Sequence, residues 1–125
     1  MALISRFEDI HAWQEARISV KMIYGMTDSG ALTKDFGLRD QLRRAAISVM
    51  ANIAEGFDCD SKVEFARFLG IARRSAVEVQ SLLYAALDLA YISEDQFKAA
   101  YDQMQKTRHW LAGSRTRSIK NALDT

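Results

Sequence analysis

The feature that most constrains this chain is one long apolar stripe. Between Ser61 and Ala90, the residues Phe65, Phe68, Leu69, Ala72, Ala76, Val79, Leu83, Ala86, Leu87 and Ala90 recur at helical spacing. At about 100° per residue they share a band about 100° wide, as in a helix that buries a single face. Ser61 with Glu64 three residues on reads as a capping box, which satisfies two orphan amides reciprocally. A helix over this span is roughly 45 Å long at 1.5 Å per residue. Such a face needs other elements to cover it.

The rest of the chain supplies three. There is no proline in 125 residues, where average usage would give about six, and its absence favours long uninterrupted helices. Breaker signals fall at 25–33, 56–60 and 91–93. A first helix, about 9–26, lines up Ile10, Trp13, Ala16, Val20, Ile23 and Tyr24. A second, about 35–55, lines up Leu38, Leu42, Ala45, Ala46, Val49 and Ile53, and Gly56 suits its C′ position. The last opens with Ser93 and Gln96, a second capping box that Ile92 and Phe97 can staple, and its row is Phe97, Ala100, Tyr101, Met104 and Leu111. Four amphipathic helices on short loops predict an all-α, up-down-up-down antiparallel four-helix bundle. One domain is expected over 1–125, with its core about 7–112. From 113 to 125 the apolar spacing weakens and a frayed tail is expected.

Composition excludes several classes. With 49% hydrophobic and 26% charged residues the chain reads as globular, and a net charge of +1 rules out binding polyanions through bulk charge. The single Cys59 cannot close an intrachain disulfide, which points to a reducing compartment. No apolar run approaches the roughly 20 residues that span a bilayer, and the first residues lack an export signal. A cytoplasmic protein with no membrane partner is the expectation.

Two helices carry more apolar surface than a lone bundle uses. Ile47, Met50, Ala54 and Phe57 point away from the Leu42–Val49–Ile53 row, and Ile71, Leu82 and Leu89 lie roughly 120° from the stripe of the third helix. Contiguous outer apolar residues mark an interface, here between identical subunits; a wide core stripe or scattered surface aliphatics is the plainer reading. Between the two faces of helix two run Gln41, Arg44, Ser48, Asn52 and Glu55, all within about 80° of arc. Helix three offers Arg73, Arg74, Ser75 and Glu78. These are candidates for a ligand or partner strip. A network that sets helix register is the more ordinary account.

The blocks Phe7-Glu-Asp-Ile-His-Ala-Trp13-Gln-Glu-Ala16, Leu42-Arg-Arg-Ala-Ala-Ile-Ser48, Asn52-Ile-Ala-Glu55-Gly56 and Phe65-Ala-Arg-Phe-Leu-Gly-Ile-Ala72-Arg-Arg-Ser75-Ala-Val-Glu78, with Leu89-Ala-Tyr91-Ile92, carry a family resemblance. Over roughly 7–111 the chain resembles the four-helix intervening-sequence proteins, encoded among other places inside bacterial 23S ribosomal RNA genes and once labelled S23 ribosomal proteins. The resemblance implies a ring-shaped homopentamer without established enzymatic activity. It also implies a distant relation to accessory proteins of diversity-generating retroelements, which bind nucleic acid and a reverse transcriptase. Its signature polar positions fall on Gln41, Arg43, Arg44, Ser48, Asn52, Glu55, Ser75 and Glu78. Arg73-Arg74 stands where relatives often have a smaller residue before the serine.

Chemistry beyond this is sparse. Glu8-Asp-Ile-His11 reads E-x-x-H, but a di-metal carboxylate site needs a second such motif, and Lys106 stands three residues before His109. Cys59 lies between Asp58 and Asp60, which disfavour a thiolate. No phosphate-binding glycine loop is present. No catalytic residue, metal or cofactor is expected. Local basic clusters remain: Arg39, Arg43 and Arg44; Arg67, Arg73 and Arg74; and Lys106, Arg108, Arg115, Arg117 and Lys120 in an acid-free stretch. Repeated around a ring they would offer multivalent phosphate contacts, whereas cations near a helix C-terminus need no partner. The expectation is a non-enzymatic oligomeric scaffold with a protein or nucleic-acid partner, the alternative a nucleic-acid-binding accessory factor.

Overall fold

A computed structural model describes residues 4–113. A 3-10 turn (Phe7–Asp9) precedes α1 (His11–Met26), α2 (Gly30–Lys34), α3 (Phe36–Phe57), α4 (Lys62–Asp88) and α5 (Glu94–Gly113). Among the described residues there is no strand. α1 packs on α3 and α5, and α4 packs on the same two helices, so the four long helices form a bundle with α1 and α4 on a diagonal. The apolar rows meet along the axis, where Ile23, Leu42, Ile53, Phe65, Leu69, Leu83, Met104 and Leu111 are shut off from solvent. No described helix is long and apolar enough to cross a membrane.

Four details differ from the sequence expectation, each for a local reason. The 25–33 breaker is not wholly loop: α2 forms within it because Leu32 drops into the core, after Gly30 turns the chain at φ +75°. Gly56 is not a C′ residue. α3 runs on to Phe57, and Gly56 is buried where α3 meets α4; a Cβ there would stand 2.6 Å from the Phe68 Cβ. α4 stops at Asp88, and Ala90 leaves the stripe to take φ +59°. It closes a Schellman motif, with the Tyr91 amide donating to the Ala86 carbonyl at 2.9 Å and the Ala90 amide to Leu87 at 2.9 Å. Finally, the Ser61 box is half made. Its hydroxyl accepts from the Glu64 amide at 3.2 Å, but the Glu64 carboxylate accepts from Arg67 instead. The Ser93 box is complete in both directions, at 2.9 and 3.1 Å.

Candidate functional site

The polar line of the second helix faces α4. Gln41 Nε2 donates to Glu78 Oε2 at 3.1 Å, the Ser48 and Ser75 hydroxyls hydrogen-bond to each other at 2.9 Å, and Asn52 Nδ2 donates to the Ser48 carbonyl and hydroxyl at 2.8 and 3.0 Å. Steps of three and four residues along α3 put these groups on one edge, and the antiparallel α4 meets them in reverse order. Gln41, Arg44, Ala45, Ser48, Ser75 and Glu78 line a groove of about 420 Å3 along this seam. The Gln41–Glu78 and Ser48–Ser75 bonds cross-link the helices, Asn52 is tied within α3, and each of these side chains has a protein partner. The exceptions sit at the rim: the Arg44 guanidinium and the Glu55 carboxylate are exposed and make no hydrogen bond or ion pair among the described residues.

Several of the clustered basic residues are tied into the fold. Arg43 closes the end of α1: its Nε donates to Thr27 Oγ1 at 2.8 Å, its Nη2 to the Thr27 carbonyl at 3.2 Å, and it covers the Tyr24 ring at 4.4 Å. Arg39 donates to Asp40 at 2.8 Å and to the Thr33 carbonyl at 3.1 Å. That hydrogen bond, working against some desolvation, holds the Asp40 carboxyl below its usual range, helped by the charges of Arg39, Arg44 and Arg43. Arg67 pairs with Glu64 at 2.9 Å, and the same bond raises its pKa. Lys106 reaches Glu15 at 3.6 Å. Arg74 is exposed. Arg73 and Arg108, from different helices, come together in a small cleft between α4 and α5. Arg115, Arg117 and Lys120 lie outside the described residues.

The two outer apolar sets do not merge into one patch. Ile47 and Met50 join Arg17, Val20, Lys21 and Tyr24 of α1 around a groove of about 560 Å3. Ile47 is 39% exposed. Ile71, Leu82 and Leu89 fall on the α4 edge that carries Ser75 and Glu78, across the polar seam from that groove. Leu89 is 55% exposed. Met50, Phe57 and Leu82 are half-buried against the core, and Phe57 stacks edge-on to Phe65 at 5.9 Å. Placing all of these outside, as the helical wheel does, overstates their exposure, because Met50, Phe57 and Leu82 pack partly against the core. Ala54 is half-buried as well.

Metal and nucleophile motifs do not assemble. Glu8 pairs with Arg6 at 3.4 Å, while the His11 ring stacks on Trp110 at 4.4 Å. No group of three or more His, Cys, Asp or Glu among the described residues could hold a metal ion. The Cys59 thiol donates to the Glu55 carbonyl at 3.4 Å.

The helical wheel missed Val20 and Tyr24 as groove walls, since both serve there as core positions. It also missed Gln80. This buried amide accepts from Arg108 Nη1 at 2.8 Å and donates to Gln105 Oε1 at 3.1 Å and to the Tyr101 carbonyl at 3.4 Å. A lone glutamine beside Val79 and Leu83 in an apolar stripe was the available signal, because a buried amide requires partners.

Residues 8–113 match the family described as 23S rRNA-intervening sequence protein. No curated protein matches the chain. Among solved structures, it is similar to a protein of unknown function from the S23 ribosomal protein family of Bacteroides thetaiotaomicron VPI-5482. The two are 21% identical, the match covers 82% of this chain and 92% of that one, and the TM-score is 0.74. At that identity the likeness bears on the fold, the shared helical arrangement. The sequence match is broader in meaning, for it runs from the turn before α1 to the end of α5 and takes in the whole polar seam. By that match, the chain belongs to the family of 23S rRNA-intervening sequence proteins.

Proposed function

We propose that this chain is a non-enzymatic scaffold of the cytoplasm whose subunits close into a ring, a pentamer, around an interface built on the α1–α3 groove. One observation carries the reading: about 560 Å3 of groove walled by Val20, Tyr24, Ile47 and Met50 is left uncovered by the described residues. An apolar groove of this kind on a small protein favours association. Its position matters too. The groove and the Ile71–Leu89 edge are different surfaces on opposite flanks of α3, and a ring with more than two subunits needs two unlike, complementary faces. The free Cys59 fits a reducing compartment.

Light scattering on the purified protein tests this. A mass several times the 14.1 kDa of one chain is expected. Ile47→Glu, which places a charge on an exposed wall, reduces the mass to that of one chain while helicity is retained. A monodisperse monomer of the unaltered protein at micromolar concentration overturns the proposal.

A second reading, a nucleic-acid-binding accessory factor, has one observation in its favour. Arg73 and Arg108 line one cleft with no acid among its described lining residues.

A further inference from the structure

The cleft between α4 and α5 has a volume of about 190 Å3 and is lined by Arg73, Gln105, Arg108, His109 and Ala112. Arg73 comes from α4 and the others from α5, so two arginines line one space with no carboxylate among the described lining residues. Unlike Arg39, Arg43 and Arg67, Arg73 makes no hydrogen bond or ion pair among the described residues. Two cations brought together without a counter-charge repel, and an anion between them removes that cost.

Arg108 is oriented from behind. Its Nη1 donates to the buried Gln80 Oε1 at 2.8 Å and to Gln105 Oε1 at 3.3 Å. Gln80 is itself held by Gln105 and the Tyr101 carbonyl, so the guanidinium plane is set by a network reaching into the core. With Nη1 occupied, the remaining fork edge is Nε and Nη2. The Nε is packed against protein, sealed from solvent, and has no acceptor among the described residues, so Nη2 is the donor left for the cleft. A buried N–H without an acceptor is uncommon in native proteins, so the guanidinium is only partly satisfied by the fold.

Size narrows the ligand. Pockets for whole small molecules run from about 300 Å3 upward, so this one takes a chemical group and not a cofactor. A carboxylate is planar and suits one guanidinium fork. Donors that converge from two helices suit a tetrahedral oxyanion with acceptors in several directions. We propose that the α4–α5 cleft is a binding site for a phosphate group, clamped between Arg73 and Arg108 with Gln105 and His109 at its edge. The site stands independently of the ring, and it sharpens the second reading only where the phosphate belongs to a polynucleotide.

Two probes separate the possible sources. Inorganic phosphate is titrated while the Arg108 Nε–H resonance is followed by NMR. A single-stranded RNA of about 12 nucleotides is titrated in parallel, by anisotropy at about 50 and 200 mM salt, the range over which backbone contacts weaken. Arg73→Gln is compared with Arg74→Gln, its exposed neighbour outside the cleft lining, which removes the same charge. The expected result is a shifted Arg108 signal and about tenfold weaker binding for Arg73→Gln, as for loss of a charge-assisted hydrogen bond. Arg74→Gln changes affinity by less than about twofold, and only Arg73→Gln lowers the salt slope, by about 0.7. Binding of both probes identifies a nucleic-acid phosphate. Binding of inorganic phosphate alone identifies a small phosphate ester, in which case the accessory-factor reading fails and the site remains. An Arg108 signal unmoved by either probe, or equal losses in the two variants, overturns the proposal.

Discussion

Single residues hold this fold at two backbone positions. At Gly56 the helices α3 and α4 come so close that a Cβ would sit 2.6 Å from the Phe68 Cβ and 3.0 Å from the Phe65 ring. Alanine is the better helix former by about 1 kcal/mol. Yet the clash is with a Cβ fixed to backbone, so the helices themselves must part, and overpacking of this kind costs about 1–3 kcal/mol. Gly56→Ala is therefore expected to destabilise the protein, read as a lower urea midpoint at unchanged m-value. Ala90 is the opposite case. It takes the left-handed conformation at the end of α4, which costs an L-residue roughly 1–2 kcal/mol and glycine almost nothing. Ala90→Gly is expected to raise stability by about 1 kcal/mol, net of the added chain entropy of glycine; an unchanged or lower midpoint would count against the Schellman assignment.

Between elements, short polar ties set the register that apolar stripes leave loose. Asp35 shows how. Its Oδ1 accepts from the Leu38 amide at 3.2 Å, capping α3, while its Oδ2 accepts from the Tyr91 hydroxyl at 3.1 Å beyond the end of α4. That hydrogen bond to a carboxylate, with some desolvation and the Asp35 charge, raises the Tyr91 pKa above its ordinary value. A phenol whose pKa is raised on folding contributes stability in full below about 10, its unfolded value, and loses it as pH climbs through the folded value. Tyr91→Phe is expected to remove this base-sensitive part of the urea-denaturation profile and leave the cap in place. Asp35→Ala should lose the cap too, worth about 1 kcal/mol at neutral pH. The Ser48–Ser75 and Gln41–Glu78 bonds act alike along the seam. They explain a polar strip between apolar faces without requiring a ligand, and Arg44 and Glu55 are the members whose charged ends have no partner among the described residues.

For the whole molecule, the separation of the two outer apolar surfaces gives assembly a specific test. If the α1–α3 groove of one subunit receives the Leu89 edge of the next, Ile47→Glu and Leu89→Glu each abolish the ring. Mixed in equal amounts, they can make one sound contact per pair, so scattering should report a two-chain species and nothing larger. A self-complementary groove-to-groove contact predicts instead that Leu89→Glu assembles normally.

Much of this architecture was legible in the sequence because helical periodicity is local. A 3.6-residue repeat, a serine three residues before a glutamine and the lack of proline identify four helices before any contact is known. The polar line was legible for the same reason, since steps of three and four residues already place Gln41, Ser48 and Asn52 on one edge. What periodicity cannot carry is distance across the bundle. Only the packed chain decided that Gly56 is a contact and not a cap, that Phe57 and Met50 lean inward, and that Arg43 closes α1 while Arg73 and Arg108 meet. Each depends on how closely two helices approach, and that is set jointly by side chains far apart in sequence.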